Sequence, residues 1–151
     1  MKTFCTLLAC ALACAVGGAA ALLGAQDKEA KFDPAKLIGK WTYISGIKDG
    51  AKVDPENLKK QDVTFTKDKI TLKGEDTFVM KYDLDATKKP VGIKLEMLES
   101  PFGAGAKAAG IIELTGDELR FCYAPMGENV PKTFDAKEGT KMHLFVLKRA
   151  K

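Results

Sequence analysis

Cys122 and His143 are the side chains best suited to nucleophile and base chemistry. His143 is the only histidine, and Cys122 the only cysteine beyond residue 14. A thiol beside an imidazole could act as a covalent catalyst. No oxyanion motif accompanies them, however, and strand parity does not bring them together. A single histidine on a terminal strand more often packs or faces solvent, and a single cysteine more often serves as a small apolar residue. Asp83 and Asp85 stand two apart near a strand end, where oxygen ligands could hold a hard cation. Lys81, Lys88 and Lys89 oppose that reading. The residues therefore point to no catalytic group, no metal site and no cofactor.

The tyrosines offer binding chemistry instead. Alternation places Tyr43, Tyr82 and Tyr123 on the apolar faces of their strands, and a buried phenol needs a hydrogen-bond partner. With Ser45 they could orient a small apolar or amphipathic ligand resting on Phe78, Met80 and Phe121, beneath a loop carrying Phe102. Alternatively, the hydroxyls reach water at an open rim, or bond one another inside a filled core. Trp41 could serve as a carbohydrate platform, but a role in closing a barrel requires its ring inside.

The elements that must position these groups are short strands. From residue 37 onward apolar and polar residues alternate with period two. Trp41, Tyr43, Ser45 and Ile47 share one face of the first strand, while Lys40 and Thr42 share the other. Val63 and Phe65, then Ile70 and Leu72, mark the second and third. Phe78, Met80, Tyr82 and Leu84 mark the fourth, and Val91, Ile93, Leu95 and Met97 the fifth. Residues 111–114, 119–123 and 142–149 complete eight. Asp54 and Pro55 begin a helical turn over 55–60. The Gly-Ala-rich stretch 100–110 predicts a mobile loop able to gate a barrel mouth. The pattern is all-β: an eight-stranded antiparallel up-and-down β-barrel with one short helical turn. Eight strands enclose either packed side chains or one small ligand.

The N-terminal stretch reads differently. Lys2 is the only charge before Asp27, and an apolar run ends in Leu23-Gly24-Ala25. This is the pattern of a secretory signal peptide over 1–25. Ala19-Ala20-Ala21 is a second possible cleavage point. A membrane anchor is an alternative reading, as is a lipoprotein attached through Cys14 in Ala11-Leu12-Ala13-Cys14. Cleavage after Ala25 takes Cys5, Cys10 and Cys14 with it and leaves Cys122 alone, so no internal disulfide is expected. It also removes one charge, Lys2, lowering the formal net charge from +4 to +3. The remaining chain divides into a polar tether at 26–36 and a barrel domain at 37–151. Interleaved acidic and basic residues, with no basic stripe, argue against nucleic-acid binding. The expected product is an exported monomer, periplasmic or extracellular, with no transmembrane segment after cleavage.

Gly39-Lys40-Trp41 at the start of the first strand and Arg149 at the end of the last have a distinct role. The indole closes one end of a small barrel, and the guanidinium stacks across it by cation–π attraction. This pairing resembles that of lipocalin-like, calycin-type barrels. Further matching segments are Lys48-Asp49-Gly50, Val63-Thr64-Phe65 with Lys69-Ile70-Thr71-Leu72, and Lys88-Lys89-Pro90. Gly116-Asp117-Glu118-Leu119 with Cys122-Tyr123-Ala124, and Leu147-Lys148-Arg149, extend the match to nearly the whole mature chain. Together they resemble a family of small exported lipocalin-like domains of uncharacterised function, abundant in planctomycete-type bacteria. Gly110-Ile111-Ile112 departs from the family's Gly-Ile-Tyr. Val130-Pro131-Lys132-Thr133-Phe134 lacks the arginine of its Arg-Pro-Thr. The resemblance implies structural roles for Gly39, Trp41 and Arg149 and supplies no catalytic residue.

These readings converge on an exported lipocalin-like binding protein for a small apolar or amphipathic ligand, held by Tyr43, Phe78, Met80, Tyr82, Phe102, Phe121 and Tyr123. The alternative is a filled barrel that grips a protein partner in the cell envelope. The leader predicts a mature N-terminus at Gln26. N-terminal sequencing of the secreted protein checks this, and a lipid-modified start at Cys14 would contradict it.

Overall fold

The computed structural model describes residues 31–127 and 129–151. The expected signal peptide, Cys14 and the first part of the tether lie outside the described residues. Among the described residues there are nine strands: β1 (Gly39–Lys48), β2 (Ala51–Lys52), β3 (Asp62–Phe65), β4 (Lys69–Lys73), β5 (Thr77–Asp85), β6 (Val91–Glu99), β7 (Lys107–Thr115), β8 (Glu118–Pro125) and β9 (His143–Arg149). All neighbouring pairs are antiparallel in up-and-down order, and β1 also pairs with β9. Eight strands thus close into a barrel, which leaves no open sheet edge in the ring. The ninth, β2, is a two-residue addition that pairs with the end of β1. Its hairpin turns at Asp49 and Gly50, both at positive φ (47° and 82°), as two-residue hairpins require.

One end of the barrel is closed by the residues the sequence marks for it. Trp41 is 1% exposed, and its indole N–H donates to the Leu37 carbonyl at 2.8 Å. The Arg149 guanidinium carbon lies 4.4 Å from the indole ring centre. Arg149 does more than stack. It donates to the carbonyls of Ile38 (3.2 Å) and Lys36, and its Nε lies 3.5 Å from the Asp117 carboxylate. Gly39 makes room for this, at φ 136°: a Cβ there would stand 3.2 Å from Arg149 Nη1. The carbonyls that Arg149 reaches belong to the last turn residues and the C-cap of a 3-10 turn, Pro34–Leu37, whose N-cap Asp33 accepts from the Ala35 amide at 3.0 Å. Leu37 is wholly buried, and Phe32 packs against the same core. The segment expected as a tether up to residue 36 therefore contributes to the barrel floor from Phe32 onward.

At the other end, α1 (Pro55–Lys59) connects β2 to β3. Asp54 caps it, accepting from the Glu56 amide at 2.9 Å, and Leu58 enters the core at 4% exposure. Five residues do not sustain a helix unaided, so burial of Leu58 must help to hold it.

Two departures from simple alternation set the interior. The β1–β9 register slips between Tyr43 and Ser45. This bulge at Ile44 reverses the facing of the rest of β1. Gly46 becomes the buried position, and Ser45 and Ile44 are exposed. Ser45 therefore does not join Tyr43 inside. The second departure concerns the loop expected at 100–110. Lys107, Ala108, Ala109 and Gly110 pair with β6 and β8, so the loop shortens to 100–106. It is internally bonded: the Ser100 hydroxyl donates to the Gly103 carbonyl at 2.6 Å, and the Gly105 amide to the Met97 carbonyl at 2.7 Å. Sheet pairing wins because small residues are needed in the wall. A Cβ on Gly110 would come within 2.7 Å of Tyr123 Cβ and 2.2 Å of the Cys122 carbonyl oxygen.

Trp41→Ala should destabilise the domain by about 3–5 kcal/mol, the range for large core truncations. Arg149→Ala should cost less, about 1–3 kcal/mol, through the lost stack and charged hydrogen bonds. Arg149→Lys should restore only part, because an ammonium cannot fork to two carbonyls. Denaturant titration checks the order, and a Trp41→Ala protein as stable as the parent would contradict it.

Candidate functional site

The barrel interior is filled. Its residual void is about 20 Å³, bordered by Tyr43, Leu72, Met80, Phe121, Tyr123 and Phe145 among others. That is room for about one water molecule. Phe145 fills the space because Gly46 recedes: a Cβ on Gly46 would sit 2.7 Å from the Phe145 ring. Tyr123 sits over Gly110 in the same way. The rings pack against one another, with centroids 5.2 Å apart for Tyr43 and Phe145, 5.0 Å for Phe121 and Tyr123, and 6.3 Å for Tyr123 and Phe145.

The seven residues expected to hold a ligand together do not form one site. Tyr43, Met80, Phe121 and Tyr123 border the small void. Tyr82 lies toward the closed end, edge-on to Phe65 at 5.8 Å, and its hydroxyl donates to the Thr66 carbonyl at 2.7 Å. Phe78 meets Phe102 at 6.4 Å, and Phe102 is 87% exposed on the surface. The expected interior pocket is replaced by a packed aromatic core, because two wall glycines give Phe145 and Tyr123 the space to pack across the interior.

His143 joins this core. Its Nδ1 lies 3.1 Å from the Tyr123 hydroxyl. Burial lowers the His143 pKa first; Lys48 lowers it further, and Asp49 partly opposes the shift. Burial pushes the Tyr123 phenol up to about 12 and raises Tyr43 as well, with neighbouring Tyr123 adding to it. Cys122 faces the other way. Its neighbour Tyr123 pairs with His143 on the inner face, whereas Cys122 is buried on the outer face and its thiol donates to the Asp135 carbonyl at 3.6 Å. A Cys122–His143 pair is thus separated by the sheet.

The larger concavity lies on the outside of the barrel. It measures about 670 Å³. One wall is the β5–β6 hairpin, with Asp85, Lys88, Lys89 and Pro90. The opposite wall is Val130, Pro131 and Lys132 from the long connection between β8 and β9. Between them lie outward positions of the sheet, Asp83, Gly92, Lys94, Ala109 and Ile111. The connection is held down by Arg120, whose guanidinium stacks on Phe134 at 4.5 Å and pairs with Glu113 at 3.1 Å. The Gly50 amide also donates to the Ala136 carbonyl at 2.7 Å. Within the cleft, hydrogen bonds from Thr87 hold the Asp85 carboxyl below its ordinary pKa, aided by Lys88, whose ammonium lies 3.4 Å away. A carboxylate so engaged is a poor start for the cation site considered for Asp83 and Asp85.

Reading by strand missed this cleft because its walls lie about forty residues apart in sequence. One signal was available. Ile111, Cys122 and Ala124 occupy outward positions yet are 5%, 0% and 3% exposed. Apolar residues on both faces of a strand imply a sheet covered on both sides.

The His143 shift has a consequence for acid stability. With its folded pKa below the ordinary 6.5, the unfolded state binds more protons as pH falls. Stability present above pH 6.5 should therefore be lost as pH drops through the lowered folded value. His143→Gln should flatten this part of the profile, as read from melting temperature against pH. A slope unchanged by the substitution would contradict the assignment.

No family model, no curated protein and no solved structure matches this chain, so the functional reading rests on the geometry of the filled barrel and its outer cleft.

Proposed function

We propose that this chain is an exported binding protein for a small amphipathic ligand, and that the ligand sits in the outer cleft rather than inside the barrel. The contrast in volume carries the reading: about 670 Å³ outside against about 20 Å³ inside. Small-molecule sites span roughly 300–1,000 Å³. The cleft combines apolar groups at Ala109, Ile111, Val130 and Pro131 with charged groups around them, as an amphipathic ligand requires. The packed barrel then acts as a rigid support, and the β5–β6 hairpin and the long connection act as the gripping walls. Export rests on the leader sequence at 1–25. The resemblance to small exported lipocalin-like domains of uncharacterised function supports export and a barrel scaffold and supplies no catalytic residue.

A fluorescent naphthalene-sulfonate probe tests the location. Saturable binding at micromolar levels is expected. Ala109→Trp, which fills the cleft, should weaken it by about tenfold or more, whereas Tyr43→Phe inside the barrel should leave it within about twofold. Binding lost on Tyr43→Phe and unaffected by Ala109→Trp would place the ligand inside and overturn the reading.

A further inference from the structure

The charges around the cleft narrow the class of ligand. Four lysines line it, Lys88, Lys89, Lys94 and Lys132, against two carboxylates, Asp83 and Asp85. Lys88 is engaged with Asp85 at 3.4 Å, and the Asp85 carboxylate also accepts from the Thr87 amide at 3.2 Å. Lys94 and Lys132 form no ion pair among the described residues. They come from different elements, β6 and the long connection, and Ala109 and Ile111 line the same cleft. Two uncommitted ammonium groups beside an apolar surface complement a molecule with a charged head and an apolar body.

We infer that the cleft selects small anionic amphipaths, in which a carboxylate, sulfonate or phosphate meets Lys94 and Lys132 while the apolar body covers Ala109 and Ile111. This rests on the reading of the cleft as the binding site. Each exposed charge contact contributes little by itself. The lysines therefore set which ligands bind, and apolar contact supplies most of the affinity. Binding of the anion should weaken as salt rises, because the ammonium groups are open to solvent.

Two probes of similar size separate the possibilities: a naphthalene-sulfonate, which is anionic, and an uncharged phenyl-naphthylamine. The parent protein should bind the anionic probe more tightly. The double variant Lys94→Gln, Lys132→Gln should weaken the anionic probe by about five- to tenfold and leave the neutral one within about twofold. Melting curves verify that the surface variant remains folded. If both probes bind the double variant as they bind the parent, while Ala109→Trp still blocks them, anion selection is overturned and the cleft remains the site. If Ala109→Trp affects neither probe, or if neither binds the parent, both the selection and the site are overturned.

Discussion

Eight strands enclose room for packed side chains or for one small ligand, and how that volume is filled governs everything else in this protein. Gly46 and Gly110 remove two side chains from the wall. Phe145 and Tyr123 move into the space, close enough that a Cβ at either glycine would collide. Tyr43 and Phe121 complete the cluster, and the remaining void is about 20 Å³. Dense packing of this kind resists the opening needed to admit a ligand. In the proposed function the barrel is thereby a support, and recognition falls to the outer surface.

The same economy explains the covered outer face. The chain leaves β8 and runs over the sheet before returning as β9. Ile111, Cys122 and Ala124 are buried on this outer face, the Cys122 thiol reaches the Asp135 carbonyl, and the Phe134–Arg120 stack and the Gly50–Ala136 hydrogen bond fix the connection in place. Between this strap and the β5–β6 hairpin, the sheet surface is left as the floor of a cleft. At the barrel floor, Arg149 joins the indole of Trp41 to the carbonyls of Lys36 and Ile38, in the 3-10 turn and at its C-cap. The first and last parts of the fold are thus held by one side chain.

Much of the fold was legible because period-two patterning and turn residues report directly on strands. The eight barrel strands and the helical turn at Asp54-Pro55 could be read from residue type and spacing, and the Trp41–Arg149 stack from the resemblance to lipocalin-like barrels. The bulge at Ile44 could not. A one-residue slip leaves composition unchanged while turning Ser45 outward and Gly46 inward. Gly-Ala composition suggested a loop through residue 110, but close packing under Tyr123 requires small residues in a strand. The candidate site was the least legible feature. Its walls, 85–90 and 130–132, meet only through tertiary structure. The loss of alternation at Ile111-Ile112 and Phe121-Cys122 was its only local trace.

A filled barrel leaves the outer cleft as the proposed ligand site. Two-dimensional NMR of the folded chain titrated with naphthalene-sulfonate tests this most directly. Saturable shifts are expected at the backbone amides of Lys94, Ala109, Ile111 and Lys132, with the Met80 methyl and the Phe121 and Phe145 rings unmoved. Shifts centred on Met80, Phe121 and Phe145, with the cleft amides unmoved, would contradict it.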